Sequence, residues 1–133
     1  MKNYYLYLYL IIFLSFFGCN QLTSQDGYTN VKPEQFKSLI SNDSVLIIDV
    51  RTPEEFLQGH LNNAVNIDFY SDDFSNAVDK LNTKKTVFVY CRSGQRSSKS
   101  VTVFKKAGFT KIYNLDGGIL GWKSRNLPIV TKD

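Results

Sequence analysis

The chain has 133 residues, of which 43% are hydrophobic and 21% are charged, and its formal net charge is +4. This length supports one domain with its own hydrophobic core and makes a second domain improbable. The positive excess is too small and too scattered to indicate a nucleic-acid partner, and the sequence contains no internal repeat or low-complexity tract.

Residues 1–18 have the pattern of a secretory signal segment. Lys2 precedes an apolar run that ends at Gly18, and the run is shorter than the roughly 20 apolar residues of a membrane-spanning helix. The small residue directly before Cys19 resembles a bacterial lipoprotein signal, in which the cysteine is lipidated after cleavage. An uncleaved signal anchor with an unmodified Cys19 is the alternative. Both predict an extracytoplasmic, membrane-anchored domain in the bacterial periplasm or cell envelope.

Residues 31–133 are predicted to form the domain, and the polar residues 19–30 a flexible spacer before it. Runs of β-branched and apolar residues predict strands over residues 45–50, 64–67, 86–90 and 111–115. Helical periodicity and capping signals predict helices over residues 33–40, 52–57, 73–81, 98–107 and 119–124. Because buried strands alternate with helices, we expect an α/β fold with a parallel sheet covered on both faces.

Cys91 is the strongest candidate for chemistry, because it directly follows the predicted strand over residues 86–90. The loop continues as Arg92, Ser93, Gly94, Gln95, Arg96 and Ser97 before the next helix. A loop in this position directs main-chain amides and the positive end of the helix dipole at one point. We expect a solvent-accessible side chain and a lowered thiol pKa, because the amides, the helix dipole and the guanidinium of Arg92 or Arg96 would stabilise the thiolate. A structural cysteine in the core is the alternative.

The loop from Cys91 to Ser97 resembles the active-site loop of single-domain rhodaneses. Two flanking signatures of that family are also matched, by residues 48–51, 54–56 and 59–61 and by residues 114–118 and 121–122. The resemblance extends from residue 31 to about residue 128 in the family's order. It implies a three-layer α/β domain with a central, mostly parallel five-stranded sheet and helices on both faces.

The resemblance also implies sulfurtransferase activity through a persulfide on Cys91. A small anionic donor such as thiosulfate would supply the sulfur, and cyanide or a thiol would accept it. Residues 92–97 would bind the donor, with Arg96 and less directly Arg92 holding its sulfonate by charge-assisted hydrogen bonds. The expected protein is a monomer that needs no metal or organic cofactor and has no nucleic-acid partner.

Four residues outside the loop have expected supporting roles. The resemblance implies that Asp49 and Arg51 form an ion pair that braces the loop, and an ordinary surface pair is the alternative. His60 follows Gly59 at a predicted helix end, where a capping role is expected. Trp122 is expected to pack in the core.

Two other functions remain open from the sequence. Tyrosine-type phosphatases place five residues between cysteine and arginine, whereas four residues separate Cys91 from Arg96, and Ser97 stands where their arginine would be. The shorter loop favours sulfur transfer over phosphatase or arsenate-reductase chemistry. A persulfide carrier or an anion-binding module without turnover would use the same loop as the enzyme.

Overall fold

The computed structural model describes residues 24–25 and 27–131, so the predicted signal segment and Cys19 lie outside the described residues. The strands are β1 (Ser24–Gln25), β2 (Tyr28–Val31), β3 (Leu46–Asp49), β4 (Val65–Asn66), β5 (Val87–Tyr90) and β6 (Ile112–Leu115). The helices are α1 (Pro33–Leu39), α2 (Pro53–Leu57), α3 (Phe74–Asp79), α4 (Gln95–Ala107) and α5 (Gly118–Ser124).

The described strands form one sheet with the order β1-β2-β6-β5-β3-β4. Every neighbouring pair from β2 to β4 is parallel, and β1 pairs with β2 in the antiparallel direction. Val89 in β5 is level with Ile48 in β3 and with Asn114 in β6, so β5 has a parallel neighbour on each side. The predicted α/β fold with a five-stranded parallel sheet is confirmed, and β1 extends it at one edge.

The alternation of side chains along β5 divides the core into two layers. Val87 and Val89 pack on one face with residues of α3 and α4, whereas Phe88 and Tyr90 pack on the other with residues of α1 and α5. The sequence of a strand that is buried on both faces is a continuous apolar run, and residues 87–90 have this pattern. Helices therefore cover both faces of the sheet, as the sequence predicted, and the fold has three layers.

The start of α2 is set by the capping signals that the sequence contains. The Thr52 hydroxyl accepts a hydrogen bond from the Glu55 amide at 3.3 Å, and the Glu55 carboxylate accepts one from the Thr52 amide at 3.1 Å. Pro53 occupies the first helical position, where its missing N–H costs no helix hydrogen bond. This capping box fixes Glu55 while leaving its carboxylate able to accept further hydrogen bonds.

The flexible spacer predicted over residues 19–30 is wrong for its second half. Strands β1 and β2 occupy part of that segment, and β2 pairs in parallel with β6 through Thr29 and Tyr113. No strand pattern is visible in the sequence here, because β2 is short and half polar and only its last residue, Val31, is fully buried. β2 forms because it pairs with the edge of β6, and not because of a local sequence pattern.

Within the described residues, no helix has both the length and the apolar character required to cross a membrane.

Candidate active site

Cys91 lies at the carboxyl end of β5, where the chain leaves the sheet and turns into α4. Gly94 is the residue before this helix and has φ = +97°, a left-handed conformation that glycine adopts without steric cost. Because of this turn, α4 begins at Gln95, three residues earlier than the sequence predicted. Arg96 and Ser97, expected in the loop, are therefore in the first turn of the helix, where main-chain amides are free of helix hydrogen bonds.

The polar groups of the loop converge on the sulfur of Cys91. The amide of Gly94 lies 3.1 Å from Sγ, and the hydroxyl of Ser97 lies 3.4 Å from it. The amides of Ser93 and Ser97 also act on the thiolate. Burial alone raises the pKa of Cys91, but the hydrogen bonds from Ser97, Gly94 and Ser93 outweigh it and leave the thiol pKa below its ordinary value. The part of the expected stabilisation that comes from main-chain amides is thus present, with the Ser97 hydroxyl added to it.

The expected exposure of Cys91 is wrong, because only 1% of the residue is accessible to solvent. Cys91 continues the alternation of β5, so its side chain lies on the same face as Val87 and Val89 and joins their apolar cluster. The amides of Ser93, Gly94 and Ser97 are directed at the sulfur, and the rest of the residue packs against that cluster. A donor therefore reaches Cys91 only after residues packed around it move.

Arg96 is held by a partner that the sequence did not indicate. Its two terminal nitrogens donate to the two carboxylate oxygens of Glu55 at 2.7 and 2.8 Å, and its guanidinium lies 5.5 Å from the centre of the Tyr70 ring. Hydrogen bonding to Arg96 is the main cause that lowers the pKa of Glu55 to about 2. The same pairing raises the pKa of Arg96, and the charge of Cys91 adds to that rise. Arg96 is thus one half of an ion pair, and its charge interacts with that of the Cys91 sulfur.

Helix α5 holds the loop through hydrogen bonds from main-chain amides in its first turn. The amide of Ile119 donates to the carbonyl of Cys91 at 2.9 Å, and that of Leu120 donates to the carbonyl of Arg92 at 3.2 Å. Gly118 has φ = +58°, and a Cβ at this position would collide with the carbonyl groups of Arg92 and Cys91. Glycine at position 118 therefore permits a backbone contact that holds the loop in place.

Asp49 and Arg51 form an ion pair with a shortest distance of 2.6 Å, and their side chains are 0% and 6% exposed. The surface pair considered from the sequence is therefore excluded. Arg51 also donates to the carbonyl of Gly59 at 2.7 Å and lies 5.8 Å from the centre of the Tyr90 ring. The Tyr90 hydroxyl in turn accepts from the Leu61 amide at 3.0 Å. The pair connects the end of β3 to the segment after α2, beside β5.

The buried side-chain amide of Asn114 contacts the loop. Asn114 in β6 is 3% exposed and donates to Asn30 Oδ1 at 2.8 Å and to the Gly94 carbonyl at 3.5 Å. Its Oδ1 atom has no hydrogen-bond partner in the described part of the chain. Asn114 stood in a signature motif, but no sequence signal placed its amide against Gly94.

His60 and Trp122 lie where the sequence predicted. The Nδ1 atom of His60 is 3.0 Å from the carbonyl of Phe56 in α2, and the two rings stack. Trp122 is 2% exposed and donates its indole N–H to the carbonyl of Pro128 at 2.9 Å. Both residues are scaffold for the segments around the site.

The other polar residues of the loop point outward. Arg92, Ser93 and Gln95 are exposed, and Arg92 lines a cavity of about 210 Å³ that also includes Lys123 of α5. Lys123 had no predicted role. The structure therefore separates the two loop arginines, because Arg96 is paired near the sulfur whereas Arg92 faces a neighbouring cavity.

The profile of the Rhodanese-like domain family matches residues 32–125. This match covers most of the chain, so the protein belongs to the rhodanese-like domain family, as the loop and its flanking signatures predicted. Among solved structures, a rhodanese-like domain protein from Staphylococcus aureus is 27% identical with a TM-score of 0.66, and the alignment covers 78% of this chain and 98% of that one.

Several relatives carry sulfurtransferase names. The chain is 32% identical over 95 residues to a sulfurtransferase of Allochromatium vinosum, covering 71% of this chain and 87% of that protein. It is 33% identical over 100 residues to the thiosulfate sulfurtransferase GlpE of Pseudomonas aeruginosa, covering 74% and 87%. Other relatives are longer: the chain spans 59% of an uncharacterized Synechocystis protein and 35% of a tRNA uridine(34) hydroxylase of Bartonella bacilliformis. The similarity supports the general sulfurtransferase family.

Proposed function

We propose that this protein is a sulfurtransferase in which Cys91 accepts a sulfur atom from a small anionic donor such as thiosulfate and passes it to cyanide or a thiol. One observation carries the proposal. The amides of Ser93, Gly94 and Ser97 and the hydroxyl of Ser97 all act on the sulfur of Cys91 and lower its pKa. A thiolate is the nucleophile that sulfur transfer requires.

The proposed reaction has two displacement steps. In the first, the Cys91 thiolate attacks the outer sulfur of thiosulfate, the sulfur–sulfur bond of the donor breaks, and sulfite leaves with the bonding electrons. Cys91 then carries a persulfide. In the second, the acceptor attacks the terminal sulfur, the new sulfur–sulfur bond breaks, and the Cys91 thiolate is regenerated. Both steps place negative charge on sulfur within reach of the loop amides, which stabilise it electrostatically.

We propose a different role for Arg96 from the direct binding of the donor that the sequence predicted. Glu55 occupies both terminal nitrogens of Arg96, so we assign the donor's sulfonate to the loop amides, and Arg96 contributes positive potential beside them. Arg96→Ala removes that potential and is therefore expected to slow persulfide formation more than Arg92→Ala does. Access to Cys91 requires a movement of residues packed around it, because the residue is buried.

The test is the intact mass of the full chain after treatment with thiosulfate. Wild type should gain the mass of one sulfur atom, and Cys91→Ser should gain none. The serine variant retains Cys19, so it also controls for sulfur added at that thiol. Equal labelling of the two proteins would contradict the proposal.

The burial of Cys91 favours a second candidate, a persulfide carrier that delivers its sulfur to one protein partner without rapid turnover. A covered persulfide is shielded from solvent thiols and from cyanide. Steady-state assays with thiosulfate and cyanide separate the two functions. Sustained turnover identifies the enzyme, whereas a stable persulfide with turnover near zero identifies the carrier.

We also propose that the protein is anchored outside the cytoplasm through Cys19. The support is the sequence of residues 1–19 alone. Incorporation of labelled fatty acid into the full chain, lost in Cys19→Ser, tests lipidation. Fractionation of the same cells tests the location, and recovery in the cytoplasm would contradict it.

A further inference from the structure

A cavity of about 210 Å³ lies beside the Cys91 loop, and the two displacement steps leave it without a role. The residues that line it include Arg92 of the loop, Gln58 of the segment after α2, and Leu120 and Lys123 of α5. The loop and α5 are joined by the hydrogen bond between the Leu120 amide and the Arg92 carbonyl. The cavity is therefore built on the same backbone contact that holds the loop of Cys91.

The cavity has an uncompensated positive charge. Arg51 and Glu55, its other charged lining residues, each hold an oppositely charged partner. Arg92 and Lys123 are exposed, and in the described part of the chain neither has a carboxylate within salt-bridge distance. Two cations that line one small cavity and have no carboxylate partner there favour an anionic ligand.

The chemical class of the ligand follows from the two places that it would contact at once, the Cys91 sulfur and the cavity. In thiosulfate the sulfonate is bonded directly to the sulfur that is transferred, so that group must lie at the Cys91 sulfur. Cys91 is not among the residues that line the cavity, and neither are Ser93, Gly94 or Ser97. A ligand that reaches both places needs several bonds between its sulfur and its anionic group. The cavity of about 210 Å³ accommodates a short chain ending in a carboxylate.

We propose that this cavity binds the carboxylate of a small thiol, and that this thiol is the acceptor of the sulfur carried by Cys91. Arg92 and Lys123 are then positioning residues, the first through a forked hydrogen-bonding group and the second as a point charge. The inference depends on the persulfide of the proposed function. The thiolate of the acceptor attacks the terminal sulfur, the bond to Cys91 breaks, Cys91 leaves as a thiolate, and the acceptor becomes a persulfide.

The experiment separates discharge of the persulfide from its formation. The full chain is loaded with thiosulfate, freed of excess donor, checked by intact mass, and mixed with mercaptobutyrate or with mercaptobutanol at equal thiolate concentrations. These two thiols have the same chain length and differ in the carboxylate. The variants are Arg92→Gln, Lys123→Gln and the double variant. Lys106→Gln, an exposed lysine in the last turn of α4, is the control for an equal loss of charge.

Wild type should discharge to the carboxylate thiol faster than to the alcohol. Each single variant should reduce that preference by about threefold and the double variant by about tenfold, as expected for partly screened charges. Lys106→Gln should keep the wild-type preference, and discharge to mercaptobutanol should change little in any variant. Equal rates for the two thiols in wild type, or an unchanged preference in the double variant, would overturn the inference. Absence of the loaded persulfide before any thiol is added would instead overturn the proposed function together with it.

Discussion

Arg96 and Glu55 form a two-point ion pair in which both terminal nitrogens of the guanidinium donate to both carboxylate oxygens, at 2.7 and 2.8 Å. The pair joins the first turn of α4, which follows the Cys91 loop, to the first turn of α2. A forked geometry of this kind fixes orientation as well as distance. It also offsets the charge of Arg96, whose pKa is raised further by the charge of the Cys91 sulfur.

Removal of the Glu55 charge should speed the reaction of Cys91 with thiosulfate. Glu55→Gln leaves Arg96 with its full charge beside the sulfur and removes an anion from the approach of a dianionic donor. We expect persulfide formation to accelerate about threefold at low ionic strength, with the gain disappearing in high salt. Rapid quenching followed by intact mass measures the rate. Glu54→Gln removes a neighbouring carboxylate from the same helix turn, and an equal gain in that variant would show a general charge effect.

The same ion pair should make the folded state sensitive to acid. The pKa of Glu55 is lowered from 4.5 to about 2, so its contribution to stability is complete above pH 4.5 and is lost as the pH falls toward 2. The Glu55 side chain is 26% exposed, and solvent screening reduces the contribution to about 1 kcal/mol. Urea unfolding of wild type and Glu55→Gln should therefore differ by this amount at neutral pH and converge as the pH approaches 2. A difference that stays constant with pH would contradict the pairing.

The parts of the fold and site that the sequence predicted are those set by local signals. The apolar run at residues 87–90 defines a strand buried on both faces, and the Thr52 cap defines the start of α2. The convergence of amides on Cys91 follows from the strand, the loop and the helix that stand in succession along the chain. Such features depend on neighbours within a few residues, so one sequence suffices to predict them.

The features that the sequence did not predict depend on contacts between distant segments. Glu55 and Arg96 are separated by 41 positions, and Glu55 already had a sufficient explanation as a capping residue. Strand β2 exists because the edge of β6 pairs with it. The burial of Cys91 could have been predicted locally, because alternation along β5 places it on the same face as Val89. The polar residues that follow Cys91 favoured exposure instead, and that prediction was wrong.

Ser97 should control the reactivity of the Cys91 thiol. Its hydroxyl lies 3.4 Å from Sγ, and the hydrogen bonds from its hydroxyl and its amide lower the thiol pKa. Ser97→Ala removes the hydroxyl and keeps the amide, so we expect the thiol pKa to rise and the thiolate population at neutral pH to fall. Alkylation by iodoacetamide should slow by a factor of about three, the value of a weak hydrogen bond. In Ser98→Ala, which loses a hydroxyl bonded only to the Gln95 carbonyl, the rate should match wild type.

The contact between α5 and the loop can be tested with two neighbouring glycines. Gly117 and Gly118 both have a positive φ, at 75° and 58°, so a substitution by alanine strains the backbone at either position by about 1 kcal/mol. The surroundings of the two residues differ. A Cβ on Gly117 would lie 3.5 Å from Gly121 Cα, an ordinary contact, whereas a Cβ on Gly118 would lie 2.6 Å from the carbonyl oxygen of Cys91.

Gly118→Ala must therefore push the loop away from α5, and Gly117→Ala need not. We expect Gly118→Ala to lower the free energy of unfolding by about 3 kcal/mol, against about 1 kcal/mol for Gly117→Ala. Since the displaced loop carries the amides that act on the Cys91 sulfur, persulfide formation should be lost in Gly118→Ala and retained in Gly117→Ala. Urea unfolding and intact mass after thiosulfate measure the two effects separately. A Gly118→Ala protein that folds and still takes up sulfur at the wild-type rate would show that the loop keeps its geometry without the contact from α5.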